Sequence, residues 1–156
     1  MTPNWKEFLT EDELKTVGII VCLDDEQRFL VVRRSDIDER QGQWTIPGGH
    51  IDEEDNSIEA GAARELKEET GLVCNINDLT YLGEPKTGKY YFLTQKWSGE
   101  LDIRIPNPKS GKIEHDQWKW STIKEVEEIE NSEIPIYLLR KALEVAKKLK
   151  GDTKND

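Results

Sequence analysis

The chain has 156 residues, with 32 Asp and Glu against 22 Lys and Arg and a formal net charge of −10. No basic stripe is present to release counterions, which argues against a nucleic-acid-binding surface, and no apolar run approaches the roughly 18 residues of a membrane span. The length suits one domain; hydrophobic residues make up 35%, a lean share to which five tryptophans add bulk. The start has no signal-peptide pattern. Cys22 and Cys74 are isolated in apolar stretches, which fits small buried residues in a reducing cytoplasm better than a disulfide or a zinc pair.

Residues 1–14 mix Trp5, Phe8 and Leu9 with acids and form either a short amphipathic helix or a loose arm. Lys15 to Leu23 reads as a buried strand, Asp24 to Gln27 as its turn and Phe29 to Arg34 as a second strand, together a hairpin. A polar loop follows from Ser35 to Gln43, and Gly42 to Ile46 leads into Pro47-Gly48-Gly49-His50. Ser57 to Glu69 has a helical pattern, with Ser57 as N-cap and Gly71 as the C-terminal stop. Val73 to Ile76 and Thr80 to Leu82 read as short strands, and aromatic-rich Lys89 to Trp97 as a longer one paired with Leu101 to Ile105. After a Pro/Gly/Asn/Ser loop, Gln117 to Ser121 is the last strand, and Thr122 to Glu128 suits a short helix. Pro135 to Lys150 closes the domain as a helix, with Ile136, Leu139, Leu143, Ala146 and Leu149 at helical spacing. Residues 151–156 are expected to be a disordered tail. Strands around two helices far apart in sequence fit a mixed sheet between helices; periodicity alone gives α/β or α+β.

The most informative stretch is 47–72. At 100° per residue, with Arg64 at 0°, Glu68, Glu65 and Glu69 project near about 40°, 100° and 140°, and Ala62, Leu66, Thr70 and Ala63 from about 160° to 260°. One arc is acidic and the next is apolar or small. Gly61 falls inside the acidic arc, where it would clear space for a metal and a phosphate. An isolated E-x-x-E-E is usually a solvated face. Like charges at three- and four-residue spacing repel, however, so a purely structural helix gains nothing from the pattern.

The whole stretch resembles the Nudix box, G-x5-E-x7-R-E-U-x-E-E-x-G-U with U aliphatic. Arg64-Glu65-Leu66-Lys67-Glu68-Glu69-Thr70-Gly71-Leu72 matches its second half without a gap. The first half is one residue too long: the first glutamate falls on Asn56 counting back from Arg64 and on Asp55 counting forward from Gly49. An insertion in the acidic loop accounts for both. The resemblance covers about residues 15–148 and implies a Nudix-type α/β/α sandwich with a central mixed β-sheet.

It also implies a Mg2+- or Mn2+-dependent hydrolase that cuts a diphosphate linked to another moiety, X. Glu65, Glu68, Glu69 and the carbonyl of Gly48 would be metal ligands, with Arg64 bracing the carboxylates. A fourth carboxylate often comes from a late loop in this family, and Glu114 fits as a ligand or general base; His115 and Asp116 are its rivals. His50 reads as structural. Arg33 and Arg34 end a strand and point to opposite faces, so one of them can meet the phosphates; Arg40 is a further candidate. Trp44 and Tyr90 are candidates for base stacking, with Tyr91, Phe92 and Trp118 also available. Tyr90 lies 18 residues past Leu72, a spacing similar to the subgroup acting on dinucleoside polyphosphates.

The expected partner is a small-molecule nucleotide diphosphate derivative: a nucleoside triphosphate, a dinucleoside polyphosphate, ADP-ribose or a nucleotide sugar. Capped RNA is disfavoured by the acidic surface, and a homodimer is left open. The competing reading is a non-catalytic Nudix-fold nucleotide-sensing module, for which the Asp55/Asn56 departure is the only hint. Prenyl diphosphate isomerisation, which the fold also supports, would require a cysteine at the site.

Overall fold

The computed structural model describes residues 16–35 and 40–154. The expected N-terminal arm and residues 36–39 of the polar loop lie outside them.

Strand β1, Val17–Cys22, is the centre of the fold. Side chains alternate across a strand. Ile19, Val21 and Leu23 therefore enter one core with Leu138, Leu139 and Ala142, while Ile20 and Cys22 enter another with Ala62, Leu66 and Phe92. β1 pairs in antiparallel with β4, Gly48–His50, and in parallel with β6, Lys89–Thr94; β6 also pairs in antiparallel with β5, Thr80–Lys86. This gives a mixed four-stranded sheet, β4-β1-β6-β5. A second, antiparallel sheet has the order β3-β2-β7, from Trp44–Thr45, Phe29–Arg34 and His115–Ser121. Helix α1, Ile58–Thr70, covers one face. Helices α2, Ile123–Glu127, and α3, Ile136–Lys154, cover the other. The architecture is the expected α/β/α sandwich around a mixed sheet.

Several local expectations change. β1 and β2 do not form a hairpin: they belong to different sheets and meet at one antiparallel bridge, Leu23 to Phe29. The turn itself is real, because Asp24 Oδ1 accepts from the amides of Glu26 and Arg28. A strand buried on both faces pairs along both edges, and β1 takes β4 and β6 instead. Val73 makes only an isolated bridge to Ser98, and Ile76–Asp78 is a short 3-10 turn. Leu101 to Ile105 is not a strand; Leu101 packs beneath α1, Ile103 is buried, and the Asp102 amide donates to the Thr70 carbonyl at 2.7 Å. Gly151 to Lys154, expected in a disordered tail, continue α3; residues 155 and 156 lie outside the described ones.

Candidate active site

Helix α1 is fixed at both ends by its own sequence. Ser57 Oγ accepts from the Ala60 amide at 3.0 Å, and Gly71 closes the helix in the left-handed conformation (φ 80°), its amide donating to the Lys67 carbonyl. Between the caps, Ala62 and Leu66 are fully buried. Leu66 alone contributes about 1.5–3 kcal/mol by leaving water. Burying that stripe against the sheet turns the acidic arc toward β4 and an open cleft of about 870 Å³.

Arg64, Glu65, Glu68 and Glu69 line the cleft, together with Gly48 and Glu114. Glu69 is buried, and its Oε2 accepts from the Gly48 amide at 2.9 Å. Glu65 lies against β4, where a β-carbon at position 49 would collide with its carboxylate. Arg64 organises the acids. Its Nη1 donates to Glu65 Oε1 at 3.1 Å and Glu68 Oε2 at 3.0 Å, and its Nη2 donates to the His50 carbonyl at 3.1 Å. The guanidinium also forks onto Asp55, with both hydrogen bonds at 2.9 Å. Asp55, rather than Asn56, is therefore the loop acid that faces Arg64. Its Oδ2 also accepts from the Asp52 amide at 2.7 Å, which folds the acidic loop back on itself.

Gly61 does not clear space for a ligand. A β-carbon there would meet Ile51 Cδ1 at 2.5 Å and Asp55 Oδ2 at 2.8 Å. The glycine lets the loop carrying Asp55 close onto the helix.

Arg64 draws Glu65 and Glu68 to itself, and among the described residues the donor atoms lying within 4.8 Å of one another belong to Glu69, Glu114 and His115. Glu114 precedes β7, and its Oε1 accepts from Asn107 Nδ2 at 2.6 Å. His115 is buried at 4% exposure. Burial pushes the Glu65 carboxyl up to about 7, against the opposing pull of Arg64. Burial also pushes Glu69 well above the ordinary carboxylate range, reinforced by the charges of Glu65 and Glu114. Two carboxyls whose ionisation is opposed, beside a third and an imidazole, form an oxygen-rich donor set that a hard divalent cation would relieve.

The other wall of the cleft carries Arg34 and Arg40, both on Glu133; Arg34 Nε and Arg40 Nη1 each donate at 3.2 Å. Burial alone would raise the Glu133 carboxyl, but the hydrogen bond and charge of Arg34, with Arg40, hold it below its ordinary value.

Three expected substrate contacts lie elsewhere. Arg33 is held by Asp116, at 2.8 and 3.1 Å, and alternation along β2 leaves Arg34, not Arg33, lining the cleft. The same contact removes Asp116 as a rival to Glu114. Trp44 packs against the larger core with Lys119 Nζ 4.6 Å above its ring. Tyr90 packs beneath α1, near Tyr81. Its neighbour Tyr91 faces the cleft instead. Neither cysteine lines the cleft; Cys22 is fully buried, and its thiol is pushed up by burial.

Comparison with known proteins agrees with this fold. A family model described as NUDIX domain matches residues 13–141. The chain is 35% identical over 130 residues to an RNA pyrophosphohydrolase of Bartonella tribocorum, covering 68% of this chain and 74% of that protein. Its fold is similar to that of the NUDIX domain of Shewanella oneidensis NrtR, solved in complex with ADP ribose, with a TM-score of 0.61 over 94% of each chain at 21% identity. An ADP-ribose pyrophosphatase from Streptococcus suis has a TM-score of 0.60, covering 85% of this chain and 92% of that one at 19% identity.

Proposed function

The chain belongs to the Nudix family of pyrophosphohydrolases, and from that premise we propose that it is a divalent-metal-dependent hydrolase of a nucleoside diphosphate linked to another moiety. The observation that carries this reading is the buried carboxyl of Glu69, placed beside Glu114 and His115 and opposed in its ionisation. Burying such a group costs stability, and a cation sharing it with Glu114 and His115 would offset that cost.

Glu65, Glu68, Glu69 and Glu114 would hold Mg2+ or Mn2+ with the Gly48 carbonyl. The cation supplies charge neutralisation for the diphosphate and an acidified water. The chain's own residues do the rest. Arg64 holds Glu65 and Glu68 at the cleft wall, from which either can turn to a ligand without reorganising the helix. Glu69 is held in place by the Gly48 amide. Glu114, aimed by Asn107, takes the proton of the attacking water at a carboxylate oxygen. Arg34 and Arg40 meet the phosphates from the opposite wall. An acidic protein is compatible with an anionic substrate because the substrate would arrive as its metal complex.

The substrate panel comprises nucleoside triphosphates, dinucleoside polyphosphates, ADP-ribose and nucleotide sugars. The relatives named RNA pyrophosphohydrolase add 5′-phosphorylated RNA, against which the net charge of −10 weighs. Hydrolysis of each with Mg2+ or Mn2+, followed by phosphorus NMR of the products, tests the proposal. Diphosphate cleavage lost in chelator is expected; full turnover in chelator, or no cleavage of any member, contradicts it. The binding-module alternative rested on a missing glutamate, and the pairing of Asp55 with Arg64 supports the hydrolase instead.

A further inference from the structure

Most cations lining the cleft are matched with acids: Arg34 and Arg40 with Glu133, Arg64 with Asp55, and Lys109 with Asp52 at 2.9 Å. Lys86, Lys89 and Lys112 line the same cleft, and no carboxylate pairs with them among the described residues. Lys86 and Lys89 flank the β5–β6 turn and stand directly opposite each other in the strand register. Directly opposed like charges destabilise a strand pair. The acid nearest in sequence, Glu84, accepts from the Gly88 amide at 2.8 Å, a bond that serves the turn. In a protein with 32 acids, three unmatched lysines lining one cleft, two of them repelling, fit a site for an anion.

We infer that Lys86, Lys89 and Lys112 form a cationic subsite for a phosphate beyond the cleaved diphosphate, so that the preferred substrate carries three or more phosphates in a row. This rests on the hydrolase reading and narrows its substrate class. The acids of α1 and Glu114 take the metal-bound diphosphate at one end of the cleft. The lysines take the additional phosphate, which ADP-ribose and nucleotide sugars replace with a neutral ribose or sugar. A nucleoside triphosphate, a dinucleoside polyphosphate and a 5′-triphosphorylated RNA end share the recognised chemistry.

Calorimetry with Mg2+ and α,β-methylene analogues tests the subsite without turnover. K86Q/K89Q is expected to weaken the ATP analogue by about tenfold, the worth of two partly exposed ion pairs, and the ADP-ribose analogue by less than about threefold, since its terminal sugar is neutral. K124Q, on exposed α2, is expected to change neither. Removing the like-charge pair should leave the melting temperature unchanged or higher, which separates binding from folding. Equal weakening of both analogues, or weakening of neither, overturns the subsite. The ATP analogue attached to a short RNA distinguishes the sources: tighter binding than the free analogue, with the same lysine dependence, supports the subsite with RNA ends as the ligand, and tighter binding of the free analogue supports it with nucleotides. Wild-type hydrolysis of the unmodified compounds is scored separately. A lysine-dependent preference without hydrolysis leaves the subsite standing and removes the hydrolase reading.

Discussion

Replacing Arg64 with alanine removes five hydrogen bonds at once: two to Asp55, one each to Glu65 and Glu68, and one to the His50 carbonyl. Stability then depends on what is left behind. The Asp55 side chain is 8% exposed and that of Glu65 13%, so both carboxylates lose their counter-charge out of water. Breaking a buried pair costs about 3–5 kcal/mol. Arg64 is itself 27% exposed, and the Asp52 amide still serves Asp55 at 2.7 Å, so a loss of about 2–4 kcal/mol is expected after allowing for solvent screening. In a chain of this size that is roughly 5–15 °C in melting temperature. Urea unfolding at pH 8 in chelator measures it. Asp55→Asn provides the control, because Arg64→Ala in that background should cost distinctly less, with a coupling of about 1–3 kcal/mol. A loss below about 0.5 kcal/mol, typical of an ordinary surface ion pair, would refute the idea that Arg64 braces the acidic face.

Glu69→Gln keeps an oxygen able to accept from the Gly48 amide and removes a buried charge. Its stability in chelator at pH 8 should equal or exceed that of the wild type, while turnover falls by about 100-fold or more, the scale of losing a group that acts at the reacting centre; a variant of normal activity rejects the assignment. The raised Glu65 carboxyl makes the folded state bind a proton more tightly than the unfolded chain. Chelated protein should therefore lose stability as pH rises from the ordinary value of 4.5 to about 7, by on the order of 2 kcal/mol after discounting for solvent exposure. Mg2+ should abolish that slope, and a melting temperature that rises across this window in chelator rejects the mechanism. Asn107→Ala frees the Glu114 carboxylate and should lower kcat by about tenfold, the scale of misplacing a general base, with little change in KM; a change in KM alone would show that Asn107 serves binding instead.

The parts legible in the sequence were those written locally. Ser57, Gly71 and the separation of acidic from apolar arcs define α1 within a residue at each end. Arg64, Glu65, Glu68 and Glu69 reach one cleft because that helix has one way to bury Ala62 and Leu66. Parity along strands was not legible. Arg33 and Arg34, like Tyr90 and Tyr91, are neighbours of the same type on opposite faces, and only the register of β2 against β7 and of β6 against β1 decides which reaches the cleft. The parallel pairing of β1 with β6 depends on contacts about seventy residues apart, as Val17 with Lys89, and no local turn signal encodes it. Asp55 was one of two counts through an inserted loop, and its contact with Arg64 decided between them. Gly61 was misread because a helical wheel shows the direction of a missing side chain, not what approaches it; Ile51 and Asp55 do.

The proposed hydrolysis requires that Glu65, Glu68, Glu69 and Glu114 converge on a divalent cation that presents a diphosphate. Anomalous diffraction at the manganese edge, from crystals grown with Mn2+ and a non-hydrolysable nucleotide, tests it directly. A peak is expected in contact with Glu69 and Glu114, with Glu65 or Glu68 turned from Arg64 toward it and a phosphate oxygen on its far side. Manganese bound elsewhere, or a nucleotide seated in the cleft with no metal beside Glu69, would contradict it.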